Sequence, residues 1–129
     1  ELENGFKHYN FYFPDEPIPV IPTFQSGFNF KIVPNDTLLG IGLEWFIGSD
    51  NELIKLLSPQ AFPNYVKDKM DTKYMVVDAI KGFLKVKYQE QLKMDNLLKV
   101  MVFYGKILYL TEAMLPDKEK PLLMDYTPN

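Results

Sequence analysis

Hydrophobic and polar positions alternate along one stretch of the N-terminal half, and this alternation predicts β-strands. The apolar side chains of the stretch fall on even positions: Phe24, Phe28, Phe30 and Ile32. A two-residue period is that of a strand with one buried face. Ser26-Gly27 supplies a bend, so residues 23–33 are predicted to form two short strands.

Residues 38–47 are more apolar and predict a third strand. Gly40 and Gly42 interrupt it, and glycine in a strand permits close approach of another backbone. Pro34-Asn35-Asp36 precedes it as a turn, because Asn and Asp side chains bond local backbone groups. The strands together occupy residues 23–48.

From residue 49 onwards the pattern changes to helical spacing. Ser49 and Glu52 match a capping box before a helix over residues 51–57. Further helices are predicted over residues 63–71, beginning at Pro63, and over residues 73–88, capped by Thr72. The last helix, capped by Asp95 or Asn96, ends near Leu115. It is apolar on nearly every face, which predicts that it is buried.

The two ends of the chain predict less regular structure. Residues 1–22 show no clear period and contain four prolines, so they are predicted to be an extended arm. Residues 116–129 are a predicted tail in which the apolar residues 122–124 dock on another surface. The whole is predicted as a single α+β domain, residues 1–129, with a small N-terminal sheet packed against C-terminal helices over residues 49–115.

Composition limits the classes of function. The 129 residues are 47% hydrophobic, enough for a buried core, and the net charge is −3 without any arginine. This charge argues against nucleic-acid binding. No apolar run approaches the roughly 20 residues that cross a bilayer. The chain contains one histidine, His8, and no cysteine, so neither thiolate nor multi-histidine metal sites can form from it.

Four segments, in order, resemble the gliding-motility lipoprotein GldB family of Bacteroidota: residues 24–28 (FQSGF), 40–50 (GIGLEWFIGSD), 77–84 (VDAIKGFL) and 104–110 (YGKILYL). The resemblance implies an exported lipoprotein of the periplasm or outer membrane, anchored through an acylated cysteine upstream of Glu1. It also implies a role in gliding and in type IX secretion. On this interpretation the chain is a fragment of a longer protein.

The GldB family is in turn similar to zincin-type peptidases, in which H-E-x-x-H on one helix and a residue of a later helix bind zinc. Aligned in that register, Asp78 and Gly82 take the two histidine positions and Ala79 the position of the general base. Tyr104, before Gly105, takes the third ligand position. In this alignment none of the catalytic positions carries the residue that a zincin needs. The resemblance therefore implies a degenerate, zincin-like scaffold that has no metal, no cofactor and no enzymatic activity.

An alternative explains the glycines equally well. Gly82 and Gly105 would simply permit close packing where two helices cross. Asp78 lies among apolar neighbours and, if it points inward, needs a partner. The candidates are Lys81, Lys106 and Tyr104. A structural role for Asp78 is expected in that case.

The sequence therefore predicts a non-catalytic cell-envelope lipoprotein domain that acts through protein–protein contacts with the gliding or secretion machinery. The candidate binding residues, expected to line a relict cleft, are Asp78, Gly82, Tyr104, Glu44 and Trp45. The membrane is reached through the upstream anchor and not through this chain. Two alternatives are an active zinc peptidase with ligands outside the chain and a structural subunit of a large envelope complex.

Overall fold

A computed structural model of the chain describes residues 2–35, 37–89 and 96–123. Its elements in chain order are α1 (Leu2–Tyr12), β1 (Thr23–Phe24), β2 (Ile32–Pro34), β3 (Leu39–Gly42), α2 (Glu52–Lys55), α3 (Asn64–Lys67), α4 (Met75–Gln89), α5 (Leu97–Met114) and α6 (Lys120–Leu123). Two 3-10 turns, Leu43–Phe46 and Thr72–Tyr74, lie before α2 and α4. A small sheet with several helices confirms the predicted α+β class.

The sheet has three strands with β3 in the middle. β1 pairs with β3 in parallel and β2 pairs with it in antiparallel orientation. The turn between β2 and β3 is organised by Asn35, whose Oδ1 accepts hydrogen bonds from the N–H groups of Thr37 and Leu38 at 2.8 and 2.7 Å. The turn is as predicted, and two short strands lie within residues 23–34, but Phe28 and Phe30 fall between them, and Phe30 is exposed and not on a buried strand face. Asp36 lies outside the described residues.

β3 is shorter than the predicted strand over residues 38–47, because it ends at Gly42. A Cβ atom on Gly42 would fall well inside contact distance of the Phe30 carbonyl oxygen and 3.2 Å from that of Lys31. The backbone of residues 30–31 thus lies directly against β3 at its last residue, where the Gly42 N–H donates to the Lys31 carbonyl at 2.8 Å. The chain then turns through Leu43–Phe46, so Glu44 and Trp45 lie in a 3-10 turn and not in a strand.

The predicted extended arm is wrong for its first half, since Leu2–Tyr12 forms α1. Phe6 and Tyr9 are buried, and Leu2 and Phe13 pack against the same core. These four residues have the i, i+4, i+7, i+11 spacing of one helical face, so the period was present in the sequence. The proline-rich remainder has no helix and touches the sheet through a bridge between Val20 and Leu38.

α4 lies at the centre of the core. Its buried residues are Val76, Val77, Ala79, Ile80, Phe83 and Leu84. α1, α5 and β2 all pack against it. Gly82 allows β2 to approach, because a Cβ there would lie 3.0 Å from Ile32 Cγ2. The close packing expected at Gly82 therefore occurs, but against a strand and not against a second helix.

The prediction that the last helix is buried is wrong for one side of it. α5 buries Phe103, Ile107, Thr111 and Met114 against the core. Its exposed apolar residues, here called the α5 outer face, lie mostly opposite Ile107, with Tyr104 at one edge. They are Leu97, Leu98, Met101, Val102, Tyr104, Gly105 and Tyr109. The helix is apolar on two faces, and only one of them meets the rest of the described chain.

Helix ends show a further correction. α2 is capped by Asn51, whose Oδ1 accepts from the Leu53 N–H at 3.0 Å, and not by Ser49. Asn96 caps α5, which was one of the two predicted caps; Asp95 lies outside the described residues. Within the predicted tail, α6 forms and buries Leu123 in the core.

Candidate functional site

Glu44 is the carboxylate around which the predicted site is built. One oxygen, Oε1, accepts hydrogen bonds from the Ser26 N–H and the Ser26 hydroxyl, both at 2.7 Å, and from the Phe28 N–H at 3.1 Å. The other oxygen, Oε2, is buried, and no residue of the described chain bonds it. Glu44 therefore holds the segment of residues 26–31, here called the 26–31 loop, by three converging donors.

The environment of Glu44 favours its charged form. Burial raises the pKa of the carboxyl, but the hydrogen bonds from the Ser26 hydroxyl, the Ser26 N–H and the Phe28 N–H outweigh it. The net effect lowers the pKa from its ordinary value. A carboxylate held ionised by several donors is a structural acceptor, whereas general-acid chemistry at neutral pH requires a raised pKa.

The 26–31 loop has an unusual backbone where it meets Glu44. Gly27 and Phe28 both have positive φ, 65° and 67°. This conformation is uncommon for a bulky residue such as Phe28 and needs support from its surroundings. The chain turns at Gly27 so that the N–H groups of Ser26 and Phe28, on either side of it, both donate to Glu44 Oε1.

Aromatic packing provides the rest of that support. The Phe28 ring contacts Trp45 and Phe62, with ring centroids 6.3 and 6.1 Å apart, and Trp45 and Phe62 lie 5.7 Å apart. The three rings fill the space between them, so they form a packed cluster and not an open cage. Trp45 Nε1 is buried within the described chain without a hydrogen-bond partner.

Asp78 pairs with Lys31, a partner that was not among the candidates Lys81, Lys106 and Tyr104 suggested by the sequence. Lys31 Nζ lies 2.6 Å from Asp78 Oδ2, and both side chains are largely shielded from solvent. Lys31 Nζ also lies 5.5 Å from the centre of the Phe46 ring. A partly buried ion pair therefore fixes the far end of the 26–31 loop to α4.

The five predicted site residues thus separate into three places. Glu44 and Asp78 hold opposite ends of the 26–31 loop, with Trp45 beneath its middle. Gly82 packs beneath β2. Tyr104 is half-exposed on α5, where Lys85 Nζ lies 5.1 Å from its ring centre. The described contacts join the first group and do not connect Tyr104 to it.

Three of the cavities on the described chain lie away from the five predicted residues, none of which lines them. Two flank Gly105 on the α5 outer face, with volumes of about 290 and 480 Å³. The third, about 150 Å³, is lined by His8, Asn4 and residues 114–118. His8 is exposed on α1 at the rim of this third cavity.

Sequence reasoning missed Ser26, Phe28 and Lys31 as partners of the two carboxylates. The Ser26-Gly27 pair marked a bend, but nothing in the local pattern shows which carboxylate its N–H groups meet. It also missed the α5 outer face. That signal was present, because a helix that is apolar all round and interrupted by lysines needs more than one covering surface.

The residues present do not fit a zincin-type zinc ion. Such a site needs three protein ligands from His, Asp, Glu or Cys. Among residues 2–35, 37–89 and 96–123, no three His, Asp or Glu side chains lie close enough to hold a metal. At the positions aligned with ligands, Asp78 is paired with Lys31, Gly82 has no side chain, and Tyr104 is a phenol on the surface.

A comparison with known protein families identifies the family of this chain. The family model described as gliding motility protein GldB matches residues 1–129, the full length of the chain. The chain belongs to the GldB family. Its membership places it among lipoproteins of the cell envelope with a role in gliding motility. Neither the search of curated proteins nor the search of solved structures returned a match.

Across the described ranges, the GldB-family chain contains no helix that is both long enough and apolar enough to pass through a bilayer. α5 is long enough but carries Lys99, Lys106 and Glu112 within its 18 residues.

A pH series tests the role of Glu44. Because folding lowers the pKa of Glu44, its contribution to stability is complete above the unfolded pKa of about 4.3 and is lost as the pH falls through the lower folded value. At pH 7, Glu44→Gln is expected to lower the unfolding free energy by about 1 kcal/mol, since the donors then face a neutral amide. Urea denaturation at several pH values measures the difference.

The matched control is Glu52→Gln, at an exposed carboxylate. It should change the unfolding free energy by less than about 0.5 kcal/mol at every pH. The gap between wild type and Glu44→Gln should close below pH 4. A gap that stays constant down to pH 3 would show that the charge of Glu44 does not hold the loop.

Proposed function

We propose that this chain is a non-catalytic, lipid-anchored domain that supports gliding motility, and with it type IX secretion, by binding another protein of the cell envelope. The observation that carries the proposal is the exposed α5 outer face. Leu97, Leu98 and Tyr109 are each at least 70% exposed on one helix. Contiguous exposed apolar surface rimmed by polar residues is typical of sites of protein–protein contact.

The arrangement of the carboxylates supports the same function. Glu44 and Asp78 are both engaged in holding the 26–31 loop. A general base for hydrolysis must reach a water or a substrate, and its pKa must suit proton transfer near neutral pH. Glu44, with a lowered pKa and its accepting oxygen occupied, suits a scaffold better than it suits that reaction.

The test is purification of the intact lipoprotein from membranes of a gliding bacterium in mild detergent. We expect a second envelope protein to co-purify in fixed ratio and the preparation to contain less than about 0.1 zinc per chain, since the described donor set does not suit the metal. Mass spectrometry identifies the companion protein and elemental analysis measures the zinc.

Two outcomes contradict the proposal. A lone monomer from membranes, after cross-linking as well as in mild detergent, would remove the binding role. Stoichiometric zinc, together with loss of hydrolytic activity on chelation and its return on zinc addition, would favour the alternative of a zinc peptidase whose ligands lie outside this chain.

A further inference from the structure

We propose that the α5 outer face is the docking surface for an amphipathic helix of a partner protein, apolar along one stripe and acidic on both flanks. The inference rests on the proposed binding function and names its surface and the class of partner. Three independent features lead to it: the spacing of the exposed apolar residues of α5, the open space over Gly105 and the positions of the lysines around this face.

The exposed apolar residues form a continuous stripe at helical spacing. Leu98, Met101, Val102 and Tyr109 stand around Gly105 at steps of three and four residues, on the side opposite the buried Ile107. This is the pattern by which one helix packs along another, with anchors on successive turns. The stripe runs over about three turns, the length that a docked helix of ordinary size covers.

Gly105 is the residue at which we expect the partner helix to approach α5 most closely. A Cβ built on it meets no atom within 4 Å, and cavities of about 290 and 480 Å³ open on either side of it. Glycine inside a helix costs about 1 kcal/mol relative to alanine, and nothing within the described chain requires it. A notch between two cavities suits a bulky side chain of an incoming helix. A lipid surface would gain nothing from such a notch.

The charges around the α5 outer face indicate which kind of partner helix would bind there. Lys85 stands beside Tyr104 on one edge of the stripe, Lys106 lies on the other edge, and Lys120 lines the cavity at its C-terminal end. Glu112 is the acidic residue among the residues that line these two cavities. The rim is therefore basic although the chain has a net charge of −3. A second copy would bring two basic rims together, whereas acidic flanks match both edges.

The test measures binding of two synthetic helical peptides to the intact protein by fluorescence anisotropy. Both peptides carry the same leucine stripe, and their flanks are glutamate in one and lysine in the other. We expect the acidic peptide to bind at least about tenfold more tightly. Leu98→Asp and Gly105→Leu should each weaken it by about tenfold or more, while the unfolding midpoint of Gly105→Leu does not fall.

The matched control is Leu56→Asp, because Leu56 is 81% exposed but lies beside α2, away from this face. It should leave the affinity for the acidic peptide unchanged. Equal affinity for the two peptides, or undiminished binding by Gly105→Leu, would overturn the proposal. A dimer in sedimentation that Leu98→Asp dissociates would assign the face to a second copy instead.

Phosphatidylglycerol vesicles test the remaining candidate for this face, a membrane surface, which is apolar inside and anionic at its headgroups. Vesicle binding that Leu98→Asp abolishes and Gly105→Leu leaves intact would assign the face to a membrane and overturn the proposal. The proposed function is tested independently of this surface: it is wrong if the intact protein has no companion protein in membranes. If a companion is found and Leu98→Asp does not release it, the binding function stands and the α5 outer face is not the surface.

Discussion

Replacing Phe83 with alanine is expected to lower the free energy of unfolding by about 4 kcal/mol, the loss typical of a buried phenylalanine. Phe83 is 1% exposed and lies at the centre of the core on α4. Its ring meets Phe6 and Tyr9 of α1 edge-on, with ring centroids 5.2 and 5.5 Å apart. The substitution therefore removes both the buried ring and the surface on which α1 packs. Urea denaturation followed by circular dichroism measures the loss.

Phe11→Ala provides the matched control, because it removes the same ring from the exposed side of α1. Phe11 is 80% exposed, so its loss should change the unfolding free energy by less than about 0.5 kcal/mol. Since a domain of this size is stable by about 5–15 kcal/mol, the two variants are easily separated. Equal effects of both variants would contradict the packing of α1 on α4.

Gly42→Ala is expected to be nearly as damaging, by about 3 kcal/mol, although it adds only one methyl group. The backbone of Gly42, with φ −80° and ψ 102°, is one that alanine adopts readily. The cost comes from the new Cβ, which would collide with the carbonyl oxygen of Phe30. That oxygen belongs to the 26–31 loop, so the collision displaces the donors that Glu44 holds.

Gly105→Ala tests the same substitution where a Cβ meets nothing. We expect it to raise the unfolding free energy by up to about 1 kcal/mol, because alanine is the better helix former. Thermal and urea denaturation of the two variants give the comparison directly. If Gly42→Ala proves harmless, the carbonyl of residue 30 does not lie against β3, and the account of how the 26–31 loop is held is wrong.

The two carboxylates singled out from the sequence act together on one structure. Glu44 binds the beginning of the 26–31 loop and Asp78, through Lys31, binds its end. A loop held at both ends presents its exposed residues, Asn29 and Phe30 among them, in a defined position. Under the proposed binding function, a loop held in this way would lower the entropy lost when a partner is bound.

Local patterns were sufficient to predict several elements. Of the four even-numbered apolar residues, Phe24 and Ile32 lie in β1 and β2, whereas Phe28 and Phe30 lie in the loop between them. Asn35 forms the predicted turn between β2 and β3. The helices over residues 73–88 and after Asn96 were predicted within one or two residues of α4 and α5. Each of these depends on neighbours close in the chain, since period and capping are local properties.

Two errors had different physical origins. The prolines after residue 13 outweighed the helical spacing of Leu2, Phe6 and Tyr9, so α1 was missed although its pattern was present. The burial of α5 was inferred from composition, which measures how apolar a helix is and not how much surface is available to cover it. Only the packing of α1, α4 and α6 shows that one face is left uncovered.

The sequence by itself determined the α+β class, the lack of cysteine and of more than one histidine, and the resemblance to the GldB family that the family match then confirmed. These are properties of residue types, local periods and ordered segments. The tertiary structure decided that Asp78 pairs with Lys31, that Glu44 holds the 26–31 loop, and that α5 presents an apolar face around Gly105. Each of these joins residues distant in the chain, and such contacts arise from packing that no local pattern encodes.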